Sequence, residues 1–197
     1  MRELVVVEFV TLDGVMQGFG SPDEDRDGGF DYGGWGAPYR DEGQLQAAVE
    51  GLRATTAYLF GRRTYEHMNA FWPHQSDDNP MAAHLNATPK YVATRTLSDL
   101  TWRNAHVLDG ELTPAVQRVK SRGEGNIVVL GSGELVQQLM ANDLVDGYRL
   151  FVHPLVLGTG KRLFRSMDAP TRLRLEAADT TSTGVLMLNY AIDQPSR

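Results

Sequence analysis

Two glycine-bearing stretches of this chain carry residue types that can hold an anion. In Phe60-Gly61-Arg62-Arg63-Thr64-Tyr65-Glu66, a glycine, two arginines and a hydroxyl follow an apolar run and open a segment with helical character. The first N–H groups of a helix have no intrahelical acceptor and the helix dipole is positive there. A phosphate is therefore favoured, and an arginine adds charge-assisted hydrogen bonds. The same residues also describe a solvated, basic first turn. Leu130-Gly131-Ser132-Gly133-Glu134-Leu135 repeats the arrangement. Glycine lets the main chain approach a ligand closely, with a diphosphate the natural candidate; the alternative is a plain helix-start turn. The dinucleotide fingerprint G-x-G-x-x-G is not met, because Val136 stands where the third glycine belongs and Phe151, not an acid, lies about twenty residues on.

Other candidates are single residues. Thr94-Arg95 ends an expected strand, the edge where open α/β sheets hold ligands. An arginine there can meet the 2′-phosphate of a phosphorylated nicotinamide cofactor, or be a solvated loop residue. Asp13-Gly14 also follows a strand, so Asp13 reads either as a turn cap or as a substrate contact. Trp35 and Tyr39 read as a substrate lid or as core aromatics that close a loop, and Phe71-Trp72-Pro73 shares that ambiguity.

Three kinds of chemistry are disfavoured. Asp23-Glu24-Asp25-Arg26-Asp27-Gly28 begins like a calcium loop, but the twelfth position is Gly34 instead of a bidentate glutamate. His67, His74, His84, His106 and His153 form no i, i+4 pair, which argues against a histidine-held metal. No serine sits in a G-x-S-x-G elbow, which argues against an acyl-transfer hydrolase.

The elements that must position these residues follow from periodicity and punctuation. Residues 3–10 (ELVVVEFV) predict a strand buried on both faces, ended by Thr11-Leu12-Asp13-Gly14. Residues 18–36 are too rich in Gly and Asp for a regular element and predict a long loop, of the kind that serves binding. A helix is expected over 39–55 with Leu45, Val49 and Leu52 inward, then a strand at 56–60 and a short helix at 62–70. Strands at 90–94 and 106–108, a helix at 113–121, a strand at 126–130 and a helix at 134–141 with Leu135, Leu139 and Met140 inward continue the alternation. Beyond Asp146, strands at 147–153, 173–179 and 185–192 predict an antiparallel part. The sum is a three-layer α/β/α fold around a mixed sheet of about eight strands, antiparallel at its C-terminal edge.

Composition bounds the rest. The chain has 197 residues, 42% of them hydrophobic, which suits one domain over residues 1–197. Its longest apolar runs fall far short of the ~20 residues that cross a bilayer, and no basic region leads into a long apolar segment, so neither membrane nor secretory signal is expected. The net charge of −6 with dispersed basic residues argues against a nucleic-acid partner and for a small molecule. With no cysteine, disulfides, thiolate catalysis and cysteine-held metals are excluded.

Five segments then carry a resemblance in order and spacing: Thr11-Leu12-Asp13-Gly14-Val15, Gly61-Arg62-Arg63-Thr64-Tyr65, Thr94-Arg95, Gly131-Ser132-Gly133-Glu134-Leu135 and Pro154-Leu155-Val156-Leu157-Gly158-Thr159-Gly160. Together they resemble the dihydrofolate-reductase-like fold, and within it the C-terminal reductase domain of the bifunctional riboflavin-biosynthesis deaminase-reductase, over nearly the whole chain. The resemblance implies a cytoplasmic, homodimeric oxidoreductase that uses NADPH to reduce a pterin-like or aminopyrimidine-type molecule. It implies that Gly61, Arg62, Arg63 and Thr64 hold cofactor phosphate, that Thr94 and Arg95 take the 2′-phosphate side, and that Gly131, Ser132, Gly133, Glu134 and Leu135 hold the diphosphate. Asp13 would be the catalytic residue beside the nicotinamide, and Trp35 and Tyr39 would bind substrate.

Two departures remain. Asp41 and Glu42 fall several residues before the place where dihydrofolate reductase carries its acid, and the cysteine-bearing deaminase part is missing, so a stand-alone relative is expected. A non-catalytic protein that binds a nucleotide or small ligand on the same fold is the competing reading, and a flavin-binding variant is a third.

Overall fold

A computed structural model describes residues 1–165 and 169–193. Strand β1 runs Glu3–Thr11, with Leu4, Val6, Glu8 and Val10 buried and Val5, Val7 and Phe9 half-buried between them. The apolar run expected to be buried on both faces is therefore fully covered on one face only.

The remaining elements are α1 (Glu42–Leu52), β2 (Thr55–Gly61), α2 (Arg62–Phe71), α3 (Pro80–Ala87), β3 (Lys90–Ala93), β4 (Ala105–Val107), α4 (Leu112–Ser121), β5 (Asn126–Leu130), α5 (Gly133–Ala141), β6 (Gly147–His153), β7 (Leu173–Thr180) and β8 (Leu186–Ile192). The eight strands form one sheet in the order β4-β3-β2-β5-β1-β6-β8-β7. β2 is parallel to β3 and β5, reached through connections that carry helices, and β3 is parallel to β4 across the non-helical segment 94–104. β8 is antiparallel to β6 and β7, joined to β7 by a turn at 181–185 with Gly184 at φ 82°. The α/β class, the eight strands and the antiparallel C-terminal edge agree with the sequence expectation.

The chain divides into two compact units, Met1–Val6 with Ala47–Val145 and Val7–Gln46 with Asp146–Arg197. The first has its core in β2, β3, β5 and the helices, with Phe60, Leu85, Val92, Ile127, Val129 and Leu139 buried. The second includes a buried cluster of Val15, Phe30 and Trp35, against which Phe9, Phe19, Leu155 and Leu157 pack. Its 18–36 segment is the loop expected, relieved only by a single helical turn at Asp27–Gly29.

Several local expectations need correction. The helix expected from 39 starts at Glu42, because Ala37–Tyr39 forms its own turn around Pro38. Leu45 is 61% exposed, and no α1 residue is fully buried, so its spacing does not mark a core face. Met140 is half-buried, and Val136 takes its place beside Leu135 and Leu139. Helix α3 was not expected. Its sequence, PMAAHLNA, has little amphipathic signal, but Asn79 Oδ1 accepts from the N–H groups of Met81 and Ala82, and Pro80 occupies the first turn.

Lys90 is completely buried where α3 ends. Its ammonium donates to the carbonyls of Leu85 (2.6 Å) and Thr88 (2.7 Å) and lies 4.7 Å from the centre of the Trp102 ring. Burial, and then the charge of Arg103, pull its pKa down to about 8.

Candidate functional site

In the first unit, the parallel neighbours β2, which ends at Gly61, and β5, which is followed by Gly131, each feed a helix. The Gly61 N–H donates to Ser132 Oγ (2.8 Å), so the two junctions predicted from sequence are tied to each other. A Cβ on Gly61 would lie 3.2 Å from that oxygen, and one on Gly131 would lie 3.5 Å from Thr64 Cγ2. Gly131 (φ 67°) and Ser132 (φ 71°) are consecutive left-handed residues. Serine has a Cβ that this conformation crowds, so the turn stores strain, a feature that concentrates at functional sites.

Ser132 spends its hydroxyl on Gly61, and neither α2 nor α5 has a side-chain cap. The N-cap residue of neither helix therefore offers a side-chain acceptor to the first N–H groups. Charges around them are mixed. Arg62 is drawn back to Glu66 (2.8 Å), Arg63 is exposed, and Glu134 lies in the first turn of α5.

β3 pairs with β2 so that Ala93 opposes Gly61, which puts Thr94 one residue beyond the Gly61 junction. Thr94 Oγ1 accepts from the N–H groups of Thr96 (3.2 Å) and Leu97 (3.1 Å), shaping the turn that carries Arg95. Arg95 is exposed. The structure thus brings Gly61, Thr64, Gly131 and Ser132 together, with Thr94 one step along the strand ends.

In the second unit, Asp13 is heavily engaged. Its Oδ1 accepts from Thr11 Oγ1 (2.6 Å) and the Leu157 N–H (3.2 Å), and its Oδ2 from the Gly158 N–H (2.8 Å) and Arg162 (3.3 Å). The Thr11 hydroxyl, then the amides of Gly158 and Leu157, outweigh burial and hold its pKa down to about 2. Turn capping is therefore a firm role of this side chain.

Trp35 is buried, and its Nε1 donates to Gln17 O (2.7 Å). The acidic stretch that opens like a calcium loop instead ties down Lys161, whose Nζ meets Asp25 (2.7 Å) and Asp27 (2.8 Å). Asp41, the residue just before α1, accepts from Ser182 Oγ and the Gly43 N–H, which lowers its pKa. Tyr39 is half-buried, its ring 5.4 Å from that of His153.

His153 is the residue that sequence reasoning passed over. It is wholly buried at the end of β6, and burial lowers its pKa. One signal was legible: a histidine closing a strand whose preceding residues are the apolar Leu150, Phe151 and Val152 (GYRLFVH).

A family model described as RibD C-terminal domain matches residues 2–187. The chain belongs to this family. Within reach of the RibD C-terminal domain family, a curated relative is the "Uncharacterized protein YyaP" of Bacillus subtilis (strain 168), 26% identical over 192 residues that span 96% of this chain and 94% of the relative. Among solved structures, a putative riboflavin biosynthesis protein from Shewanella sp. PV-4 aligns with TM-score 0.71 at 16% identity, over 98% of this chain and 100% of that one. Dihydrofolate reductase from Enterococcus faecalis, complexed with NADP(H) and RAB-propyl, aligns with TM-score 0.57 at 14% identity, over 98% and 97%. These likenesses carry the fold, which is dihydrofolate-reductase-like.

Proposed function

We propose that this RibD C-terminal domain protein is an NADPH-dependent reductase of a small pterin-like or aminopyrimidine-type molecule. The observation that carries the reading is the joined pair of junctions, with Gly61 bonded to Ser132 Oγ and two uncapped helix starts beside them. Glycine main chain at the strand ends and helix starts without a capping side chain fit a diphosphate. Gly61, Arg62, Arg63, Thr64 and the 131–135 segment would hold the phosphates, and Arg95 with Thr94 the 2′-phosphate side. The cofactor of that type supplies a hydride when bound. The chain's part is to bind it, orient it and exclude water.

On the substrate side, Asp13 is proposed as a positioning residue. A carboxylate with a pKa near 2 and four donors keeps no proton to give, and its bonds to Leu157 and Gly158 fix the 154–160 segment. The occupied carboxylates of Asp13 and Asp41 also favour a second reading, a protein that binds such ligands without reducing them.

Titration with NADPH and NADH, followed by the emission of the bound nicotinamide, tests the proposal. NADPH is expected to bind more tightly, with Arg95→Ala weakening NADPH about tenfold and NADH hardly at all. Binding of neither dinucleotide would overturn the cofactor assignment, and binding without turnover across a pterin and pyrimidine panel would leave the second reading in place.

A further inference from the structure

The His153 ring is surrounded by aromatic rings, with Trp35 at 5.1 Å, Phe19 and Tyr39 each at 5.4 Å and Phe9 at 6.2 Å between centroids. Its Nδ1 faces the carbonyl oxygens of Phe151 (3.0 Å) and Val10 (3.3 Å). Carbonyls only accept, so Nδ1 carries the proton of the neutral imidazole and Nε2 presents a lone pair. Nε2 is buried and meets no hydrogen-bond partner among the described residues. Buried polar atoms in native structures are nearly always paired, and a phenylalanine would complete this apolar cluster without an orphan. An acceptor kept in such a place is explained by a donor that arrives from outside.

The covering rings have two origins. Phe9 belongs to β1 and stacks between Phe19 and Phe151, whereas Phe19, Trp35 and Tyr39 come from the loop between β1 and α1. That loop is held by ties outside the sheet, among them Trp35 Nε1 to Gln17 O, Gly34 N to Gly18 O, Thr183 Oγ1 to Tyr39 O and Lys161 Nζ to Asp25 and Asp27. None of these ties is a rung of the sheet, so a displacement of the loop would leave the pairing of β1 and β6 intact.

We propose that His153 sets specificity on the substrate side, its Nε2 accepting an N–H or amino hydrogen from a flat ring that enters where Trp35 and Tyr39 now lie and stacks against Phe9 or Phe19. Naming that ring a substrate rests on the reductase reading; the recognition chemistry does not. A ring without the hydrogen leaves Nε2 unpaired and is rejected, which is how a buried polar group discriminates between ligands of equal shape.

The test uses calorimetric titration of the full chain with lumazine, a flat bicycle bearing ring N–H groups, and with its di-N-methyl derivative, which lacks them. Wild type is expected to bind lumazine about tenfold more tightly than the methylated ring. His153→Phe should bind the two alike, and His153→Gln, whose side-chain oxygen can replace Nε2, should keep an intermediate preference. If the Phe variant does not fold, the nitrogen chemical shift of His153 Nε2 in wild type reads the same contact, moving with lumazine and not with the methylated ring.

Equal binding of the two rings by wild type, binding of neither, or a preference that His153→Phe leaves intact would overturn the inference. NADPH binding with no lumazine preference would remove this inference and leave the reductase reading standing. A His153-dependent preference without NADPH binding would do the reverse.

Discussion

The glycine junctions of the first unit and the long loop of the second use one residue type for opposite purposes. At Gly61 and Gly131, the nearest atoms to an added Cβ are side-chain atoms of Ser132 and Thr64 at 3.2 Å and 3.5 Å, so an added methyl there would press on side chains and not on main chain. At Gly33 and Gly36, an added Cβ would fall 2.3 Å from Pro22 O and 2.1 Å from a Phe19 ring carbon. Glycine in the first region borders side chains that can give way, and in the second it is spent on packing the protein against the Pro22 main chain and the Phe19 ring. A glycine-rich stretch is therefore no guide to a ligand until its neighbours are known.

That contrast is most sharply tested by matched alanines. Gly33→Ala forces the loop backbone away from Pro22 and should lower stability by about 3 kcal/mol in urea unfolding, whereas Gly61→Ala should stay within about 1 kcal/mol. Equal losses at the two sites would erase the distinction.

A second comparison sets the buried cation of the first unit against the anion of the second. For Lys90, burial wins over its hydrogen bonds, and the folded pKa of about 8 lies below the usual 10.5. Between those values the unfolded chain binds more protons, so stability should rise with pH. Wild type should gain about 2 kcal/mol over Lys90→Met from pH 7.5 to pH 10; a flat difference would show that the ammonium is not desolvated.

For Asp13, hydrogen bonding wins over burial, and the folded pKa of about 2 lies below 3.8. Its contribution is present above about pH 4 and is lost as pH falls through about 2. Asp13→Asn should cost about 1–2 kcal/mol at pH 7, and the loss should fade below pH 2 in denaturant titrations.

The smallest effect is expected at Ser132→Gly, which removes the acceptor for the Gly61 N–H but relaxes a left-handed serine. These oppose each other, leaving the urea midpoint within about 0.5 kcal/mol of wild type. A larger loss would mean that the bond between the junctions dominates the strain.

Much of the fold was legible because its signals are local. β5 and β6 begin and end where the apolar runs of NIVVL and GYRLFVH do, and α2 and α5 start at the glycines that announce them. Helix α3 escaped because alanines and an asparagine give no apolar stripe, and Leu45 misled because its helical spacing is not matched by a neighbour to bury it. On the candidate site, the junction glycines and Ser132 were legible from the strand-glycine-helix pattern.

The sequence by itself determined the element order, the mixed α/β class and the two strand-glycine-helix junctions, since these depend on periodicity and on residues adjacent in the chain. Only the tertiary structure decided which polar groups are buried and who answers them. Lys90 takes its partners from the end of α3 and from Trp102, Asp13 takes amides from Leu157 and Gly158, and His153 is enclosed by rings that lie more than a hundred residues away in the chain. The Lys90 acceptors are near in the chain, but its burial and the pairing of Asp13 and His153 are set when strands and loops meet, and no local pattern records them.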